Sequence, residues 1–294
     1  MSEPLPLTPP TTRSALSAFA ADIKLAHTIF ALPFALSAVW LVHQAQGTTL
    51  GQWAWILVAM TGARTSAMGF NRLVDRRIDA ANPRTAGRAL PAGAVPVGLA
   101  WGLTLGSAAI MVLAAGMLHW HALLASPLIL AIIWGYSLAK RVTALCHLIL
   151  GLALGCAPMA AWLALTGTVA TPAVVLAGIV LTWVGGFDIL YALQDREYDR
   201  DVGLHSIPAA LGEKGALLVS GLLHIGTVGL LGVLSLVTPL AWPYWIGVAA
   251  ITMILAYEHW LVRPGDLSRI DRAFFTMNSL VSLVFFGALL AGTW

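Results

Sequence analysis

The amino-acid sequence predicts an all-α, polytopic membrane protein with nine transmembrane helices, and three observations predict it. Of the 294 residues, 59% are hydrophobic and only 10% are charged, whereas a soluble domain carries about a quarter charged residues. Apolar runs of about 20 residues, the length a helix needs to cross a bilayer, recur along the chain. The few charged residues are confined to alternate connections between those runs. By the positive-inside rule this asymmetry orients the protein. It puts the N-terminus and the charged loops in the cytoplasm, as expected of a multi-pass protein of the inner (plasma) membrane.

Taken in order, residues 1–20 are expected to be a flexible leader. They contain Pro4, Pro6, Pro9 and Pro10 and lack the apolar core and cleavage site of a signal peptide. A single transmembrane domain is expected over 21–294. Span 1 (23–44) opens at Lys24, and span 2 (53–74) runs directly into the most charged stretch of the chain. Spans 3 (97–118) and 4 (120–139) are separated only by His119 and its neighbours, and span 4 ends at Lys140-Arg141. Span 5 (143–165) holds both cysteines, Cys146 and Cys156, which lack a CxxC spacing and read as small core residues. Span 6 (172–194) leads into a second acidic stretch. Spans 7 (215–237), 8 (241–261) and 9 (272–293) complete the set, with Arg263, Arg269 and Arg272 between the last two. All 16 Lys and Arg and all 13 Asp and Glu fall on the cytoplasmic side of this layout or in the adjoining helix turns. The polar chemistry is therefore expected on that face. No short-period repeat is present, which argues against a solenoid.

The candidate chemistry starts at the end of span 2. Asn71, Asp75 and Asp79 are spaced i, i+4, i+8, so a helix puts all three on one face. Stacked carboxylates repel unless a cation sits between them, and such a face suits a divalent metal with hard oxygen ligands. Asp195 and Asp199 repeat the spacing after span 6. Two acidic faces at one membrane boundary suggest one site built from both halves of the chain. Arg64 and Asp188 lie about 10 Å deeper on the same two stripes, at 1.5 Å per residue. A charge at that depth is costly unless paired or wet, so both are expected to face a common polar cavity and to interact directly or through a bound substrate. Arg84 and Arg88, in a Gly- and Pro-punctuated loop, suit phosphate contact, whereas Arg76, Arg77 and Arg200 read as solvated topogenic charges. Tyr136 and Lys140, also i, i+4, read by spacing alone as an interfacial aromatic and a snorkelling lysine. The histidines other than His205 read as scattered polar residues. The DG-x2-AR element of the membrane alcohol phosphatidyltransferases is missing, since Asp79 precedes Ala80 and Asp201 precedes Val202.

Read together, Asn71-x3-Asp75-x3-Asp79 with Arg84-Thr85-Ala86-Gly87-Arg88, the Tyr136-x3-Lys140 element, and Asp188-x2-Tyr191-x3-Asp195-x3-Asp199 resemble the motifs of the UbiA superfamily of intramembrane aromatic prenyltransferases. The resemblance covers essentially the whole chain. It implies a bundle around a central cleft open to the cytoplasm and laterally to lipid, and a Mg2+ ion with a polyprenyl diphosphate held by Asn71, Asp75, Asp79, Asp195 and Asp199. It further implies phosphate contacts from Arg84, Arg88 and Lys140, a cleft lined by Tyr136 and Tyr191, and Arg64 toward the carboxylate of an aromatic acid acceptor. Asp75, Asp195, Asp188 and Arg64 are the expected catalytic residues. Arg72 and His205 depart from the pattern, standing where many members have Asp and Lys.

The expected reaction is transfer of a polyprenyl group to an aromatic carboxylic acid of the 4-hydroxybenzoate type in respiratory quinone biosynthesis. The stretch Lys24 to Phe34 is similar to a branch that prenylates a dihydroxynaphthoate in menaquinone biosynthesis. From another class, an ion-coupled transporter would use intramembrane acids as a relay, but such acids would lie near mid-membrane. The partners expected are the diphosphate, the aromatic acid and membrane lipid, with no nucleic acid.

Overall fold

A computed structural model describes residues 12–23, 28–263, 265–270 and 273–294. The chain folds into helices α1 (Thr12–Asp22), α2 (Thr28–Gln46), α3 (Leu50–Ala81), α4 (Val97–Leu118), α5 (Trp120–Ala139) and α6 (Cys146–Thr166). They are followed by α7 (Thr171–Ala192), α8 (Arg196–Asp201), α9 (Ile207–Val237), α10 (Pro243–Leu261) and α11 (Asn278–Gly292). A 3-10 turn, Leu193–Asp195, joins α7 to α8, and a π-helical turn, Ala273–Met277, leads into α11. Among the described residues the fold is all-helical. Six segments are long and apolar enough to cross a bilayer: α4, α5, α6, Thr171–Asp201, α9 and Ala273–Gly292.

One element differs from the sequence expectation in kind, and another in length. The flexible leader expected through residue 20 gives way at Thr12 to α1, because Ala15, Phe19 and Ile23 fall on one helical face and bury it. Phe19 and Ile23 pack with Leu73, Leu90, Val95 and Ala100. Helix α3 is 32 residues long and runs past the apolar stretch that predicted it. It starts at a capping box, in which Thr49 Oγ1 accepts from the Gln52 N–H at 3.2 Å and Gln52 Oε1 accepts from the Thr49 N–H at 2.9 Å. It ends at Asn82 because Pro83 cannot continue a helix. Pro4, Pro6, Pro9, Pro10, Lys24, His27 and Arg272 lie outside the described residues.

Helix α7 is the centre of the bundle. Leu176, Val180, Trp183 and Val184 are fully buried on it, and it packs on α2, α6 and α9. Small residues let the backbones approach. A Cβ added at Gly155 of α6 would lie 2.8 Å from the Ala177 carbonyl oxygen of α7. Helices α3, α4 and α5 pack side by side, and α5 joins them to α6. The C-terminal ends of α3, α5 and α7 are thereby brought together, and most of the candidate functional residues lie there.

Candidate active site

The site is assembled from the ends of α3 and α7 and the loops that follow them. On α3, Asn71 Nδ2 donates to Asp75 Oδ2 at 2.9 Å, so the i, i+4 spacing produces a direct contact. Past the helix end the chain turns back on itself. Asn82 Oδ1 accepts from the Arg84 N–H at 2.9 Å, and Thr85 Oγ1 donates to Asp79 O at 3.0 Å. That turn returns both loop arginines to the acids. Arg88 Nη1 reaches both oxygens of Asp79 at 2.7 and 2.8 Å. Arg84 crosses to the other half of the chain, where Nε donates to Asp195 Oδ1 at 2.9 Å and Nη2 pairs with Oδ2.

At the end of α7 the tightened 3-10 turn and α8 carry Asp195 and Asp199. Asn82 Nδ2 also donates to Asp195 Oδ1 at 3.1 Å, and the Tyr198 hydroxyl donates to Ile78 O at 2.9 Å. These bonds join the two motifs directly. Lys140 Nζ lies 2.7 Å from Asp199 Oδ1, and Arg141 Nη2 donates to Asp75 Oδ1 at 2.8 Å. Each of four aspartates therefore has a cationic partner. Outside the spans, Arg84 loses hydration on burial, but the Asp195 carboxylate more than offsets this and raises its pKa above the ordinary arginine value. Burial raises the pKa of Asp22, at the end of α1, while Arg72 opposes the shift. Arg72 is itself buried, pairs with Asp22 at 3.6 Å and donates to Asn71 Oδ1 at 2.7 Å.

Two cavities meet at this point. The larger, about 560 Å³, runs between apolar side chains such as Met60, Met111, Leu154 and Phe187. The smaller, about 250 Å³, is lined by Asn71, Asp75, Asp79, Asp195 and Asp199 together with Arg84, Arg88 and Lys140. Asn71, Arg72, Arg88, Tyr136, Asp188 and Tyr191 line both. Arg64 lines the apolar cavity, as does Asp188, so the two deep charges do face one space. The Asp188 carboxylate is engaged there by His147, whose Nδ1 lies 2.7 Å from Oδ2. The ring of Tyr191 stacks on Phe274 with centroids 4.1 Å apart, and the Arg84 guanidinium carbon lies over the same ring, 5.5 Å from its centroid.

The structure thus brings every candidate residue to one of the two joined cavities. Sequence reasoning did not single out His147, Asn82, Arg141 or Phe274. For His147 a signal was present: a histidine inside an apolar span is a functional candidate by default. Among the described residues no three acid, His or Cys side chains converge to close on a metal unaided. The donor set nevertheless suits Mg2+, which binds through one or two carboxylates plus substrate phosphates and not in an all-protein cage. Asp199 Oδ2 supports that fit, being buried without a hydrogen-bond partner beside the polar cavity.

Comparison with known proteins bears on the family and the fold. The profile of the UbiA prenyltransferase family matches residues 31–280. The 4-hydroxybenzoate octaprenyltransferase of Tolumonas auensis is 32% identical over 236 residues, 78% of this chain and 79% of that protein. The 4-hydroxybenzoate solanesyltransferase of Synechocystis sp. is 31% identical over 246 residues, 80% of this chain and 81% of that protein. The apo structure of a UbiA homolog from Aeropyrum pernix K1 superposes with a TM-score of 0.82 at 33% identity, covering 91% of this chain and 98% of that one. A UbiA homolog from Archaeoglobus fulgidus bound to GPP and Mg2+ shares the fold, with a TM-score of 0.66 at 18% identity over 93% of this chain and 99% of that one.

Proposed function

Because the chain belongs to the UbiA prenyltransferase family, we propose that it transfers a polyprenyl group from a polyprenyl diphosphate to a ring carbon of an aromatic carboxylic acid of the 4-hydroxybenzoate type. The observation that carries this reading is the junction of the two cavities. A larger apolar chamber adjoining a small one lined by seven Asx side chains and several cations matches a molecule with a lipid tail and a diphosphate head.

In this reading Asn71, Asp75, Asp79, Asp195 and Asp199 hold a Mg2+-diphosphate. Bound divalent metal supplies electrostatic stabilisation to the departing diphosphate. Arg84 and Arg88, which already reach between the acids and the polar cavity, and Lys140 bind phosphate oxygens. Tyr136 and Tyr191 wall the junction where the allylic carbon sits, and the surrounding apolar helices keep water from the cation formed there. Arg64, in the apolar chamber, holds the acceptor carboxylate. The electron-rich ring carbon beside the phenolic hydroxyl then attacks. Nine spans, a cleft open to the cytoplasm and, laterally, to lipid, and residence in the plasma membrane belong to the same proposal. Lateral access lets a chain longer than the chamber extend into the bilayer.

The test is an assay of purified protein in lipid nanodiscs with labelled polyprenyl diphosphate, Mg2+ and a panel of aromatic acids. Prenylated product from 4-hydroxybenzoate is the expected result; product from dihydroxynaphthoate alone would move the protein to the branch suggested by Lys24 to Phe34. No product from any aromatic acid would overturn the proposal.

A further inference from the structure

Prenylation of a ring carbon leaves that carbon with a proton that must be removed, and the two cavities present several carboxylates as candidate acceptors. Asp75, Asp79, Asp195 and Asp199 are each paired with Arg141, Arg88, Arg84 or Lys140. A carboxylate bound to a cation is a poor base. Asp188 differs. It lines both cavities, its side chain is 25% exposed toward them, and its partner is the 2% exposed imidazole of His147.

The protonation state of that imidazole follows from its other contact. His147 Nε2 accepts the backbone N–H of Ile207 at 3.3 Å. Ile207 is the first residue of α9, so its N–H is one of the donors that a helix N-terminus leaves without an internal partner. A ring nitrogen that accepts cannot carry a proton, which places the ring proton on Nδ1, where it is donated to Asp188. A second proton on the ring would set N–H against N–H at the positive end of a helix. With Nδ1 turned to Asp188 and Nε2 to the Ile207 N–H, His147 has no free ring nitrogen for the substrate's proton.

Resting on the prenyl-transfer reading above, we propose that Asp188 is the base that removes the ring proton, and that His147 is a positioning residue that fixes its carboxylate. The carbon–oxygen pair has by then left with the diphosphate. The ring's π pair forms the new carbon–carbon bond to the allylic cation. The carbon–hydrogen bond then breaks, its pair restores the aromatic ring, and the proton passes to the Asp188 carboxylate, whose Oδ2 remains held by His147.

The experiment uses full-length protein with 4-hydroxybenzoate carrying hydrogen or deuterium on the ring carbons beside the hydroxyl. The wild type is expected to turn over both at the same rate, because proton loss is fast once the base is in place. Asp188→Asn should lower kcat by about 10²–10⁴-fold, the usual contribution of a general base, and turnover should become slower with the deuterated acceptor. His147→Leu should show the same isotope effect with a smaller loss. His147→Asn, whose amide can occupy the Nδ1–H position, should largely restore wild-type behaviour. Loss of rate without an isotope effect in both Asp188→Asn and His147→Leu, or no loss in either, would overturn the proposal. A second measurement needs no turnover: the nitrogen NMR spectrum of histidine-labelled protein, with His147 identified by its loss in His147→Asn. A proton on Nδ1 alone is expected, and a proton on Nε2 would overturn the assignment. Failure of the wild type to form any product would count against the transfer reaction itself and leave the NMR result to judge the pair.

Discussion

Arg84 offers the sharpest test of the site, because it holds the same acid that is proposed to serve the diphosphate. Its Nε donates to Asp195 Oδ1 at 2.9 Å and its Nη2 to Oδ2, while Asn82 holds Oδ1 at 3.1 Å. Replacing Arg84 with alanine therefore leaves Asp195 one hydrogen bond and removes a guanidinium from the polar cavity. A hydrogen bond to a charged group contributes about 1.5–3 kcal/mol. The Arg84 side chain is 32% exposed, so solvent weakens the pair and the cost to folding should fall at or below the lower figure. In the loaded state the same contact made to a diphosphate oxygen would be lost from the transition state. At about 1.4 kcal/mol per decade, this predicts a fall of about 10- to 150-fold in kcat/KM for the polyprenyl diphosphate. Lysine keeps the charge but not the planar fork, so Arg84→Lys should fall between wild type and alanine. Steady-state kinetics with each substrate varied in turn would measure this. A loss confined to the aromatic acceptor, or none, would refute the assignment of Arg84 to the diphosphate.

Other consequences can be measured separately. Asp75→Ala or Asp199→Ala should abolish transfer in the nanodisc assay while the protein still inserts and elutes as a folded species; full activity would remove either residue from the metal-diphosphate set. Chelation of divalent cations should stop turnover and added Mg2+ should restore it, with chelator-resistant activity as the contrary result. Arg64→Ala should raise KM for a carboxylated acceptor far more than KM for the diphosphate, since Arg64 lines the apolar chamber and not the polar one. Gly155→Val should lower the melting temperature in detergent, because its Cβ would lie 2.8 Å from the Ala177 carbonyl oxygen and overpacking of this kind costs about 1–3 kcal/mol.

The contacts that sequence did not anticipate share one property: all span helices. Asp188 shares a cavity with Arg64, as expected, but its bond to His147, 41 positions away in the chain, was not anticipated. Arg141 was noted only as one cation among several, and it binds Asp75 across 66 positions. Arg72, noted as a departure from the family pattern, pairs with Asp22 of a helix that lies partly in a stretch expected to be flexible. Asn278 was not considered at all, yet it receives the Trp183 indole N–H at 2.8 Å and donates to Glu258 Oε1 at 3.0 Å in the buried core.

What the sequence determined by itself was everything set by the local geometry of a helix. The 3.6-residue period puts Asn71, Asp75 and Asp79 on one face, and apolar length marks the helices that can cross a bilayer. The proline at 83 ends α3 where the loop arginines begin. Only the tertiary structure decided which cation answers which acid, that the two motifs are stitched through Asn82, Arg84 and Tyr198, and that His147 braces Asp188. Those outcomes depend on how far each helix is rotated and shifted against its neighbours. That placement is set by close contacts such as Gly155 against Ala177, which pattern along one strand of sequence does not encode.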